Sequence, residues 1–304
     1  MVGRNNMTHC TIGIMAYNEA ANIGHLLDAL LLQKTETVVI DKIIVVASGC
    51  TDGTVEIVEQ FTAQEKRIQL LCQAQREGKA SAVNLFMLNA RNAEVIVLIS
   101  ADVLPMPHTI EALVSPFSDP HTGMVGGHPV PTNPRDTFIG FAVNLEWELH
   151  HAISLQHPKM GELISFRNIF RQIPHDTAVD EASIEPLIVG QGMKLRYAPD
   201  AIVYNCGPEH VRDFIKQRRR IFAGHLYVKD TLGYQVATMN SLRILALFFR
   251  NLKADWRYFF WAPFVFALEF YVRMLGKYDY NVRKRKPFVW QMVETTKKDL
   301  AKIA

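Results

Sequence analysis

The stretch Val95 to Pro107, VIVLISADVLPMP, carries one carboxylate to the end of an apolar run. Val95 to Ile99 are β-formers, Ser100-Ala101-Asp102 ends the run, and Pro105 and Pro107 interrupt any continuation. A buried parallel strand that delivers one acid to its C-terminal end is how an open α/β sheet presents a charge to a ligand. Asp102 is therefore a candidate metal ligand. The competing reading makes it a cap for the turn before Pro105, because Asp is common in turns.

Other polar clusters stand at matching places in the chain. Thr11 to Ala16 reads as a first strand, turned by Tyr17-Asn18-Glu19 into a helix Ala20 to Gln33 with Ile23, Leu26, Leu27 and Leu30 at helical spacing. Lys42 to Ala47 is a second strand, closed by Ser48-Gly49-Cys50-Thr51-Asp52-Gly53-Thr54 before a helix Val55 to Gln64. Ile68 to Cys72 is a third strand, after which Arg76-Glu77-Gly78-Lys79 opens a helix Ala80 to Ala90. Alternation of this kind predicts a doubly wound sheet whose ligands collect at the strands' C-terminal edge.

Beyond Pro105 the spacing predicts a short helix Thr109 to Ser115, a strand Met124 to Val130 and a helix Gly140 to Ser154. A polar loop Arg167 to Thr177 then leads to Val179-Asp180-Glu181 and a helix to Val189. Lys194 to Val203 reads as a strand and Val211 to Val228 as a basic helix. No linker separates the two halves.

Composition narrows the function classes. A chain of 304 residues with 49% hydrophobic content has ample material for a core, and a net charge of +3 gives no reason to expect a nucleic-acid partner. Cys10, Cys50, Cys72 and Cys206 are scattered without metal-binding spacing and are expected to be reduced. The polar start MVGRNNMTHC lacks the apolar core of a secretory signal, which predicts a cytoplasmic body.

With these elements in order, the chain resembles the family 2 glycosyltransferases, inverting sugar transferases of the GT-A fold. The likeness runs from Cys10 to about His225 and rests on IGIMAYNEAANI, IIVVASGCTDGT, REGKASAVN, ADVLPMP, AVDEASIE, RYAPDAIVY and QRRRI. It implies a GT-A catalytic domain, a Rossmann-like mixed sheet with flanking helices, over residues 1–240, while residues 241–304 are expected to form a C-terminal helical, membrane-interface region. It also implies a nucleotide-diphospho-sugar donor, UDP- or GDP-linked, with Mg2+ or Mn2+.

The resemblance assigns roles residue by residue. Asp102 matches the last acid of the family's DxD motif, and Ser100 stands where the first acid usually is. Ala16, Tyr17, Asn18, Glu19, Ser48 and Ala101 fall on the donor-binding segments, with Ala47-Ser48 replacing the usual acidic pair. Lys79 and Arg220 are diphosphate contacts, and Gln217 lies one turn from Arg220 on the same face. Asp180-Glu181 matches the acidic pair that supplies the general base, with Glu181 at the usual base position and Asp180 its competitor. Trp147, His151 and Glu162 fall where acceptor residues gather. Ile221 replaces the tryptophan of QxxRW, which favours single transfer over processive synthesis.

Leu242 to Phe249 and Tyr258 to Leu275 are apolar, but Pro263 and Glu269 interrupt the second tract. That tract falls short of the ~20 uninterrupted apolar residues of a bilayer span. Its Trp and Tyr residues, with Arg and Lys nearby and the cluster Arg283 to Lys286, predict monotopic attachment to the cytoplasmic face of the membrane. A lipid-linked or glycolipid acceptor follows. The alternative is a helical pair buried against the catalytic domain or in a homo-oligomer. Two other functions stay open at this point: a non-catalytic nucleotide-sugar-binding module, and a nucleotidyltransferase, against which AYNEAAN in place of a glycine-rich loop argues.

Overall fold

The structure, a computed structural model, describes residues 7–283. Its elements are β1 (Thr8–Ala16), α1 (Ile23–Leu31), β2 (Val38–Ser48), α2 (Thr54–Gln64), β3 (Ile68–Gln73), α3 (Lys79–Asn89), β4 (Val95–Ser100), β5 (Val103–Pro105) and α4 (Thr109–Val114). There follow β6 (Thr122–Pro131), α5 (Phe138–Ser154), β7 (Leu163–Arg167), α6 (Asp180–Val189), β8 (Lys194–Asn205), α7 (Val211–Leu232), α8 (Ser241–Arg250), α9 (Trp256–Phe260) and α10 (Ala262–Asn281).

The strands form one sheet in the order β3-β2-β1-β4-β7-β6-β8-β5. The first four are parallel, whereas β7 runs antiparallel to both β4 and β6, so the sheet is mixed. Two strands escape the sequence reading. β5 has only three residues, and β7, LISFR, lies just ahead of the expected polar loop. Neither has the length or alternation that marks a strand locally.

Both faces of the sheet are covered, which explains why β2 and β4 read as continuous apolar runs. Ile43, Val45, Val97 and Ile99 pack on one side with Leu26, Leu27 and Leu113, while Ile44, Val46, Ile96 and Leu98 pack on the other with Val83, Phe86 and Ile184. The alternation is the period-two geometry of a strand applied to two cores. Close packing also explains Gly13 in β1, where a Cβ would lie 2.7 Å from the ring of the fully buried Phe86. Gly13→Ala is expected to destabilise the fold by ~1–3 kcal/mol through overpacking. Urea denaturation checks this, and an unchanged midpoint would show that the ring yields freely.

The helices beyond Ser241 pack back onto the sheet domain. Leu247, Phe248, Tyr258, Ala262 and Val265 share a cluster with Phe141, Leu145 and Leu149 of α5 and Phe214 of α7. Among the described residues no helix is long and apolar enough to cross a membrane. Of the basic cluster, Lys284, Arg285 and Lys286 lie outside the described residues.

Candidate active site

At the C-terminal edge of β1 and β2, two loops are tied together. Asn18 has φ 53, in the left-handed region that Asn tolerates better than most residues. Its side chain accepts from the Thr51 N–H at 2.8 Å and donates to the Thr51 hydroxyl at 3.1 Å. The Glu19 N–H donates to Thr54 Oγ1 at 2.8 Å, and the Ala20 N–H to Asp52 Oδ2 at 3.1 Å. The guanidinium of Arg76 stacks 3.9 Å above the Tyr17 ring. Ser48 is buried at the end of β2, its hydroxyl 3.5 Å from the Gln75 carbonyl. Asn18 and Glu19 thus shape the crevice through their neighbours.

Seven polar residues of the sequence reading meet in a cavity of about 560 Å³. Lys79 enters at the start of α3, Asp102 after β4, Glu162 before β7, Asp180 and Glu181 at the start of α6, and Gln217 and Arg220 from α7. Gly78, with φ 94, turns the chain immediately before Lys79. The Lys79 ammonium lies 3.0 Å from Asp180 Oδ1. Burial would depress Lys79, but Asp180, Glu181 and Glu162 together hold it above its ordinary value.

That ion pair divides the acidic doublet. Asp180 is buried and bound to Lys79, while Glu181 faces the cavity with its carboxyl raised to about 7, by burial first and by the Asp180 charge second. Lys159 and Lys79 oppose the rise. A carboxylate poised near neutrality has the properties of a general base.

The three consecutive arginines of α7 diverge, as a turn of 100° per residue requires. Arg218 pairs with Glu146 at 2.9 Å and Glu269 at 3.0 Å, and Arg219 pairs with Asp279 of α10. Arg218 also lines the cavity, with its charge met by the two glutamates, and so does Arg220. Burial brings it down to about 10, against the pull of Glu162, Glu181, Asp180 and Asp102, so it stays charged at neutral pH.

The histidine expectation needs correction. His151 does not line the cavity: its ring stacks on His128 with centroids 4.1 Å apart, and its Nδ1 is hydrogen-bonded to the Tyr197 hydroxyl at 2.8 Å. His150, one residue earlier and rotated toward the site, lines it beside Trp147, with ring centroids 5.0 Å apart. Burial brings His150 down to about 3, so it is neutral.

Lys159 and His225 are among the cavity residues not found from sequence. Lys159 is only 4% exposed yet lines the cavity, and its ammonium donates to the Met160 carbonyl at 2.8 Å. No periodicity marks it. His225 also lines the cavity, and burial holds it well below its ordinary value. Its signal was legible, because Gln217, Ile221 and His225 recur at helical spacing on one face of α7.

Ile244 and Leu245 of α8 and Val265, Phe266 and Phe270 of α10 give the cavity an apolar stretch of lining, next to Ser241, Glu269 and Arg273 of the same helices. Leu245 and Phe270 also reach solvent. They adjoin the exposed Leu242, Phe249, Phe264 and Met274 of the same two helices.

Among the described residues no three His, Cys, Asp or Glu side chains gather as a self-sufficient metal cage. A hard cation such as Mg2+ needs less, because one or two carboxylates suffice when substrate phosphates complete its shell. Asp102 and Glu162 in the cavity, with the hydroxyl of Ser100 bonded to Glu162, are an all-oxygen set of that kind. The residues fit Mg2+ or Mn2+.

Known proteins share sequence and fold with this chain. The family model described as Glycosyl transferase family 2 matches residues 11–179. Glycosyltransferase AglE of Haloferax volcanii is 28% identical over 165 residues, covering 53% of this chain and 49% of AglE. The O-antigen chain rhamnosyltransferase RfbN of Salmonella typhimurium is 24% identical over 210 residues, 64% of this chain and 65% of RfbN. The chain thus spans about half of AglE and just under two thirds of RfbN.

Two solved structures share the fold. The mannosyltransferase PcManGT from Pyrobaculum calidifontis, in complex with GDP-Man and Mn2+, superposes with a TM-score of 0.57 at 22% identity, over 92% of this chain and 81% of that one. Glucosyl-3-phosphoglycerate synthase from Mycobacterium tuberculosis, in complex with Mn2+, UDP and phosphoglyceric acid, gives 0.53 at 15% identity, over 76% and 80%. The mixed sheet with its flanking helices is the GT-A fold.

Proposed function

The chain belongs to glycosyl transferase family 2, and on that premise we propose that it moves one sugar from a nucleotide-diphospho-sugar to a membrane-associated acceptor, with inversion at the anomeric carbon. One observation carries the reading: Glu181, raised to about 7, faces the same cavity as Arg220, while the Lys79 ion pair occupies Asp180. In the proposed step Glu181 takes the acceptor's proton as its oxygen attacks the anomeric carbon. The bond from that carbon to the diphosphate breaks on the opposite side, and Arg220 and Lys79 receive the leaving negative charge. A divalent cation held by Asp102 would neutralise the diphosphate when bound. UDP and GDP-Man in the similar solved structures support a UDP- or GDP-linked donor.

The apolar stretch of lining from α8 and α10 supports a lipid-linked or glycolipid acceptor, since Leu245 and Phe270 connect it to an exposed apolar surface. Trp256, Phe259, Phe260 and Tyr271 extend that surface, with Arg250, Lys253 and Arg257 beside them, which supports attachment without a span at the cytoplasmic face of the membrane. Ile221 in place of an acceptor-stacking tryptophan supports single transfer.

The test is a screen of UDP- and GDP-sugars with the full chain, reading nucleotide diphosphate release with Mg2+ or Mn2+, with and without membrane lipid extract. Release from one donor, dependent on the cation and stimulated by the extract, is the expected result. No release with any donor would overturn the catalytic reading. In a parallel arm the chain should sediment with anionic liposomes and stay bound in high salt, because salt screens charge but not apolar burial. A chain left in the supernatant would refute membrane attachment.

A further inference from the structure

We propose that Glu162 supplies the second carboxylate of the cation site, standing in for the acid that Ser100 does not provide. The inference rests on the nucleotide-sugar reading above. Sixty-two residues separate the two positions, and only the sheet brings them together. β7 runs antiparallel beside β4 with Leu163 opposite Ile99, so the residue before β7 falls opposite Ser100. The Ser100 N–H donates to the Glu162 carbonyl at 3.1 Å, and the Ser100 hydroxyl donates to Glu162 Oε2 at 2.8 Å.

This arrangement conserves charge while moving its source. An aspartate at position 100 would face Glu162 where the serine hydroxyl now bonds it, and two carboxylates there would repel. Serine is short and neutral, and its hydroxyl orients the glutamate. One such bond leaves most of the acceptor capacity of a carboxylate, which has about four lone-pair sites. Glu162 and Asp102 line the same cavity, and the charge of Asp102 acts directly on Glu162. Lys79 and Arg220 oppose that repulsion, and Lys79 is itself shared with Asp180 at 3.0 Å. A hard cation bound by one or two carboxylates and the donor's phosphates satisfies such a pair.

The experiment is Mn2+ titration of the full chain with UDP or GDP present, reading free Mn2+ by electron paramagnetic resonance. Glu162→Gln is expected to weaken Mn2+ binding by about tenfold or more, as loss of a charged ligand does. Ser100→Asp combined with Glu162→Gln is expected to recover most of that loss, because it returns a carboxylate to the same place. Thermal melting confirms that each variant folds, and Glu162→Asp gives a conservative check that should retain binding. Mn2+ affinity unchanged in Glu162→Gln overturns the inference and leaves the donor reading intact. A folded double variant that fails to recover also overturns it, since Glu162 would then act through something other than its charge. If the wild-type chain takes up no Mn2+ with either nucleotide, the cation part of the proposed function fails together with the inference.

Discussion

Glu181→Gln is expected to lower kcat by ~10²–10⁴-fold, the range of general-base effects, with the donor KM little changed. The substitution keeps the shape of the side chain and removes its basicity. The pH profile makes the test specific. A base raised to about 7 is mostly protonated below that pH, so wild-type turnover should rise with pH through about 7. In Glu181→Gln this acidic limb should disappear along with most of the rate.

Asp180→Asn is the informative control. It breaks the 3.0 Å pair with Lys79 and should act mainly on donor binding, because it frees a lysine that the diphosphate also needs. If Asp180→Asn instead removes the acidic limb and Glu181→Gln does not, the two roles are exchanged. Rate and KM, measured at several pH values, separate the outcomes.

The difference between these two neighbours was not legible in the sequence. Both are acids in the first turn of one helix, where either complements the helix dipole. What separates them is Lys79, brought to Asp180 from another helix by the sheet. The early elements were legible for the opposite reason: each strand from β1 to β4 is an apolar run and each turn is marked by Gly, Ser, Asp or Asn, so the signal is local. β7 has no such signal and exists through pairing with β4 and β6. With it went the neighbour of Ser100, and Glu162 could be placed only on the acceptor side. The placement of His151 failed similarly, since its helix was found but the directions of His150 and His151 follow from packing against His128, Tyr197 and Trp147.

The arginine tract was legible as a tract, and the structure divides its labour, which yields the second large expected effect. Arg220→Ala should reduce kcat by ~10²–10³-fold, comparable to removing one donor to a developing negative charge. Arg219→Ala should instead lower stability, because its partner Asp279 is on α10, outside the cavity lining. Arg220→Lys should recover only part of the rate, since an ammonium is a point charge and cannot offer the two parallel bonds of a guanidinium to a phosphate. Four acids face Arg220, so it remains charged despite burial that brings it to about 10. A diphosphate developing its charge in the same cavity would meet that guanidinium already in place. Steady-state kinetics across donor concentration decide the matter: a raised donor KM with unchanged kcat would mean that Arg220 binds the donor equally in ground and transition states, and its role in receiving the leaving group would fall.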